Sequence, residues 1–206
     1  MWKKVVALGG AALMMAGVTA CGSQASSGAP KAEAKAETKA AATETVSSKD
    51  SKAVVVYFSG TGNTKRVAEI IARTKGTDIW EIQPEKPYTS EDLNYRDDNS
   101  RCVKEHNDRS IKPAIKGDVP NWDSYTTVFL GYPIWWGEAP NIVYHFTETH
   151  DFKGKRVIPF CTSVSSGVGE SDTLLEKTAK SGEWLGGTQF YSRVDEGEVI
   201  DWSKKY

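Results

Sequence analysis

The chain has 206 residues and a net charge of −1, with 26 Lys and Arg against 27 Asp and Glu, so it lacks the basic excess expected of a nucleic-acid binder. Its length suits one α/β domain plus extensions. Three cysteines in 206 residues exclude a dense disulfide framework.

Residues 1–21 read as an export signal: Lys3 and Lys4 form the charged start and Val5 to Ala16 the apolar middle, a run too short to span a bilayer comfortably. Val18-Thr19-Ala20-Cys21 resembles the lipobox of bacterial lipoproteins, which implies acylation of Cys21 and attachment to a membrane surface. A plain secretory signal with a chance cysteine is the alternative. Residues 22–51 are mostly Ala, Lys, Glu, Ser and Thr. They carry too little bulky apolar surface to offset chain entropy and read as a disordered tether. The folded domain is expected over residues 52–206.

Ala53 to Phe58 reads as a buried strand, and Lys65 to Lys75 as a helix with Val67, Ile70, Ile71 and Thr74 at helical spacing. Between them lies Ser59-Gly60-Thr61-Gly62-Asn63-Thr64. Such a strand-to-helix turn aims backbone N–H groups and the positive helix end at one spot. With hydroxyl donors from Ser59, Thr61 and Thr64 and the amide of Asn63, it suits a phosphate monoester. A Walker loop fails because Gly60 and Gly62 are separated by one residue, and a dinucleotide fingerprint fails because Lys65 stands where its third glycine belongs.

Thr77 to Ile82 is expected as the second strand, with Ile79 buried, and a long polar segment, 84–120, as a crossover containing one helix around Asn99 to Asp108. Thr126 to Tyr132 gives a third strand, followed by a helix with Pro140 in its first turn and Ile142, Val143 and Phe146 on its buried stripe. Arg156 to Phe160 gives a fourth strand, Asp172 to Lys180 a helix capped by Ser171, Thr188 to Arg193 a fifth strand, and Val199 to Trp202 a terminal helix. Cys102 and Cys161 read as free buried thiols, with a bridge between them as the alternative.

Strands alternating with helices imply an open parallel sheet, which binds ligands beyond the carboxyl ends of its strands. That rule nominates three loops: Ser59–Thr64, Pro133–Asn141 and Thr162–Glu170. In the second, Pro133, Ile134, Trp135, Trp136 and Gly137 place two indoles where a planar ligand can stack, though one of them serves equally well as core at the sheet's end. In the third, Thr162, Ser163, Ser166 and Gly167 supply hydroxyl and backbone donors for a polar ring edge. His106, His145 and His150 lack ligand spacing for a metal and fit surface or capping roles.

Tyr57–Thr64, Gly131–Gly137 and Pro159–Ser163 with Ser166-Gly167 together resemble the flavodoxin superfamily, most closely its bacterial lipoproteins and their relatives, over about residues 53–205. The resemblance implies a three-layer α/β/α fold with a five-stranded parallel sheet of order 2-1-3-4-5. It also implies non-covalent FMN, with its phosphate in the first loop and its ring between the second and third. Two departures stand out: Val164 and Ser165 replace glycines usual in the third loop, and Glu138 sets a carboxylate near the expected flavin rim.

These expectations lead to an FMN electron-transfer protein outside the cytoplasm, lipid-anchored to the bacterial cell membrane and monomeric, exchanging electrons with a redox partner protein or small molecule. Alternatives on the same fold are an FMN-dependent NAD(P)H:quinone or nitro-compound oxidoreductase and a flavin-free binding module. Glu85, Glu91, Asp92, Asp97 and Asp98 supply either an acidic docking rim or an ordinary solvated face.

Overall fold

A computed structural model describes residues 52–206. The readings of 1–21 as a signal, of Cys21 as a lipid site and of 22–51 as a tether lie outside the described residues. Among the described residues, no helix is long and apolar enough to cross a membrane.

The strands that read as continuous apolar runs lie at the centre of the sheet, where both faces are covered. β1 (Ala53–Tyr57) pairs in parallel with β2 (Asp78–Glu81) on one side and β3 (Thr127–Pro133) on the other. β4 (Arg156–Ser163) lies beyond β3. The order β2-β1-β3-β4-β5 matches the expected one. The fifth position is divided: β5 (Glu183–Trp184) pairs with Arg156 and Val157, whereas β6 (Thr188–Tyr191) pairs with Phe160 to Ser163. Leu185-Gly186-Gly187 separates the two, and the strand expected over Thr188 to Arg193 corresponds to β6.

Alternate strand residues face opposite layers. Val55, Tyr57, Phe129, Ile158 and Phe160 pack with α1 (Asn63–Lys75) and α5 (Glu196–Ser203). Val54, Val56, Val128 and Leu130 pack with α3 (Asn141–Thr149) and α4 (Ser171–Ala179). α2 (Arg101–Asn107) is capped by Ser100, whose hydroxyl accepts the Val103 N–H at 3.4 Å.

Several local expectations change. Ile79 is exposed, because β2 is an edge strand with one neighbour; Trp80 is half-buried against Phe146, and Ile82 is the buried residue. Pro140 is the N-cap of α3 rather than a first-turn residue. Ser171 begins α4 instead of capping it; its buried hydroxyl donates to the Val168 carbonyl at 2.6 Å and lies 3.1 Å from the Tyr132 hydroxyl. Cys161, Thr162 and Ser163 belong to β4 rather than to the loop after it. Cys102 and Cys161 are free and buried.

The switch point falls between β1 and β3, because the chain leaves β1 toward β2 and returns on the other side. A close contact fixes this region. A Cβ on Gly131, in the middle of β3, would lie 2.2 Å from Phe160 Cζ, inside any permissible contact. Gly131→Ala is expected to destabilise the fold by about 3 kcal/mol, lowering the urea midpoint with little change in the denaturant slope.

Candidate functional site

At the end of β1, Phe58 N–H donates to the Gly131 carbonyl at 3.0 Å and the chain turns. The Ser59 hydroxyl accepts the Gly62 N–H at 3.1 Å, holding the turn closed. Gly62 is the N-cap of α1 with φ 90°, a left-handed conformation that favours glycine. No side chain caps α1, and its first turn holds no acidic residue. Its first helical bond runs from Arg66 N–H to the Gly62 carbonyl at 3.1 Å. The N–H groups of Asn63, Thr64 and Lys65 therefore have no protein acceptor among the described residues. Such uncapped donors at a helix start suit an anion.

The Thr64 hydroxyl is turned inward. It lies buried, 2.8 Å from the Thr162 hydroxyl, and ties the first loop to β4. Asn63 Nδ2 donates to Thr61 Oγ1 at 3.3 Å, which fixes the two polar side chains relative to each other.

The loop after β3 begins with Ile134 N–H donating to the Thr162 carbonyl at 2.9 Å. Trp135 N–H then donates to the Glu138 carbonyl at 2.8 Å, and Glu138 N–H to the Trp135 carbonyl at 3.1 Å. The two residues between, Trp136 and Gly137, have φ of 49° and 83°, the signs that a type I′ turn requires. A tryptophan in that conformation carries strain of about 1–2 kcal/mol.

The two indoles divide the roles left open by the sequence. Trp135 is half-buried, edge-on to Phe58 and Tyr88 with centroids 5.7 Å away in each case. Gly60 lets the first loop pass it, since a Cβ there would lie 3.3 Å from Trp135 Cζ2. Trp136 is exposed and stacks on His106, with centroids 4.7 Å apart and planes 17° from parallel.

At the end of β4, Ser163 Oγ donates to the Ser166 carbonyl and accepts from Gln189 Nε2, the latter at 2.9 Å. A Cβ on Gly169, itself at φ 60°, would stand 3.1 Å from the Gly137 carbonyl, so the third loop runs close against the second.

A cavity of about 430 Å³ lies among these loops, within the range of small-molecule sites. Thr61, Asn63, Pro133, Ile134, Trp135, Trp136, Thr162 and Ser163 line it. Ser59, Gly60, Gly62, Thr64, Gly137, Ser166 and Gly167 shape the loops without being among its lining residues. Leu93, Tyr95, Cys102, Val164 and Ser192 also line it, and the sequence reading did not assign them. One signal was present: Leu93 is the sole aliphatic side chain between Tyr88 and Cys102.

Two carboxylates near the site, Glu105 and Glu138, are paired with arginines. Glu138, the carboxylate expected near the rim, forms an ion pair with Arg109. Arg109 also donates to Asn141 Oδ1 at 2.6 Å and to the Ala139 carbonyl at 3.2 Å. Asn141 Nδ2 reaches three carbonyls, those of Glu105, Asp108 and Ile111, at 2.6, 3.0 and 3.0 Å. Glu105, also buried, accepts from Tyr88 and Arg101 at 2.6 Å each. In the acidic run, Asp92 accepts the Thr89 N–H at 3.1 Å and Asp97 the Asn99 N–H at 2.9 Å, so both brace local turns. Burial, then Asp172, pushes the Cys161 thiol up to about 12, which keeps it a neutral core group. His145 Nδ1 lies 2.8 Å from the Pro113 carbonyl, and His150 bridges the Phe146 carbonyl and Asp118 at 2.9 and 2.8 Å. Among the described residues, no group of three or more His, Cys, Asp or Glu has an arrangement that could hold a metal ion.

Fold and site define a doubly wound α/β protein with a ligand cavity at its switch point. The chain belongs to the flavodoxin family, whose sequence profile, described as Flavodoxin, matches residues 52–206. Its structure is similar to that of a protein from Bacteroides eggerthii DSM 20697 assigned as a flavoprotein, at 44% identity and TM-score 0.70, covering 75% of this chain and 97% of that one. A protein of the same assignment from Bacteroides uniformis ATCC 8492 matches at 37% identity and TM-score 0.71, covering 76% and 99%. A flavoprotein from Lactobacillus acidophilus NCFM, solved in complex with FMN, shares the fold at 20% identity and TM-score 0.58, covering 74% and 99%. No curated protein matches at a significant level.

Asn141 connects the tryptophan loop to the segment after α2, and its removal leaves three carbonyls and an Arg109 donor short of a partner. Asn141→Ala is expected to cost about 2–3 kcal/mol in chemical denaturation and to speed amide exchange at Trp135 and Glu138.

Proposed function

We propose that this protein binds FMN non-covalently and works as an electron-transfer flavoprotein. One observation carries the reading: uncapped backbone donors at the start of α1 and an aromatic wall at Trp135 and Trp136 meet around one cavity. FMN pairs a phosphate monoester with a planar ring, and the two ends of the site match those two chemistries. The N–H groups of Asn63, Thr64 and Lys65, with the side chains of Thr61 and Asn63, hold the phosphate. Trp135 and Trp136 cover the ring, each contact worth about 1 kcal/mol beyond area burial. Thr162 and Ser163 face its polar edge.

Bound FMN supplies the redox chemistry, and the protein supplies orientation and electrostatics. The fold's membership in the flavodoxin family supports the cofactor, as does the FMN complex of the Lactobacillus relative. The pairing of Glu138 with Arg109 removes the uncompensated negative charge that would oppose electron addition. The electrons come from and go to a redox partner protein or small molecule. The proposal extends to the N-terminus on sequence alone: residues 1–21 direct export, Cys21 is lipidated, and 22–51 tether the domain outside the cytoplasm as a monomer.

The test is an absorption spectrum of the purified full chain with added FMN, before and after desalting. Retained, shifted flavin bands are expected, with riboflavin binding at least about tenfold more weakly, because loss of one charge-assisted hydrogen bond already costs that much. Loss of all flavin on desalting would reassign the fold to a flavin-free binding module. Rapid oxidation of NADH or NADPH by the holoprotein alone would move it to the oxidoreductases.

A further inference from the structure

His106 packs its imidazole on one face of the Trp136 indole, and the same tryptophan lines the cavity. Trp136 is also the residue held at φ 49°. A bulky side chain keeps that backbone only when its surroundings favour it. The reciprocal Trp135–Glu138 hydrogen bonds close the turn from the backbone side. The imidazole stack holds it from the side-chain side.

The charges around this stack favour a neutral imidazole. Arg109, three residues along the chain, lines the same small cavity as His106 and is anchored by Glu138 and Asn141. Glu138 comes from the tryptophan loop and is committed to Arg109. Glu105 is committed to Arg101 and Tyr88. Burial first, and then the Arg109 charge, hold the His106 imidazole below its ordinary range. An imidazolium would gain from the indole face but would lose hydration and meet Arg109.

We propose that His106 is a positioning residue for Trp136, whose neutral imidazole holds the indole in place for FMN and thereby links FMN affinity to pH. The proposal rests on the FMN reading above. The sign follows from linkage. The stacked imidazole takes a proton less readily than a free one, so the stack is at full strength above the free histidine's pKa. It weakens as pH falls through that range, and it stops weakening below the stacked pKa. FMN is therefore bound more weakly in mild acid.

The experiment measures the FMN dissociation constant of the full chain from pH 8 to pH 5 for wild type, His106→Phe and His106→Ala. FMN's own phosphate titrates in this window, and His106→Phe isolates that background. His106→Phe keeps a flat ring on the indole and cannot be protonated. It is expected to match wild type at pH 8 and to bind several-fold more tightly than wild type at pH 5. His106→Ala is expected to bind more weakly than wild type at pH 8. Parallel profiles for wild type and His106→Phe would overturn the proposal, as would wild-type affinity in His106→Ala at pH 8.

A second readout needs no cofactor. Indole emission of the FMN-free chain is titrated, and the contribution of Trp136 is taken as the difference from Trp136→Phe, which removes the separate signal of Trp122 beside His150. That difference is expected to titrate in wild type and to stay flat in His106→Phe; a flat wild-type curve would overturn the stack as a titrating contact. If no protein binds FMN at pH 8, the functional reading fails, while this titration still decides whether His106 holds Trp136.

Discussion

The site depends on backbone donors that a helix cannot satisfy by itself. A helix start leaves N–H groups without partners, and proteins commonly spend a serine or aspartate to cap them. Here Gly62 occupies the cap position and contributes no side chain, while Ser59 serves the turn instead. The donors of Asn63 to Lys65 keep no protein acceptor among the described residues, and Thr61 and Asn63 beside them line the cavity. The sheet order places this helix start at the switch point, and Gly131 permits the packing beneath it.

Around that helix start, the remaining loops are fixed to one another rather than to solvent. The Thr64–Thr162 contact joins the first loop to β4, and Ile134 joins the second loop to the same strand. Asn141 and Arg109 bind the tryptophan loop to the segment after α2. Glu105, Tyr88 and Arg101 brace the long crossover that brings Leu93 and Tyr95 to the cavity. Breaking one partner of such a buried ionic cluster costs more than an exposed pair is worth, because the other charge is left without compensation. The strain at Trp136 is thus held by surroundings that are themselves crosslinked. A loop built this way presents its indole in a set orientation, which lowers the ordering cost of binding a rigid planar ligand.

Central strands were legible because burial on both faces leaves nearly continuous apolar runs, as in Val54-Val55-Val56 and Val128-Phe129-Leu130. The turn at Ser59–Thr64 and the pair Trp135-Trp136 were legible because polar glycine-rich turns and exposed indoles at strand ends are uncommon choices. Ile79 misled because an apolar residue on an edge strand need not be covered. The divided fifth strand was hidden because Glu183–Trp184 is too short to show a period. Leu93 and Tyr95 escaped because an irregular segment carries no periodicity to say where its side chains return. The partnership of Glu138 with Arg109 joins two segments whose proximity exists only in the folded chain.

The central claim is that backbone N–H groups at the start of α1 hold the phosphate of FMN. It is tested most directly by following the backbone amide resonances of the protein during titration with FMN and, separately, with riboflavin. The account predicts that the amides of Asn63, Thr64 and Lys65 shift strongly with FMN and little with riboflavin, while the Trp136 indole N–H shifts with both. Equal responses of those three amides to the two ligands, or no response to either, would contradict it.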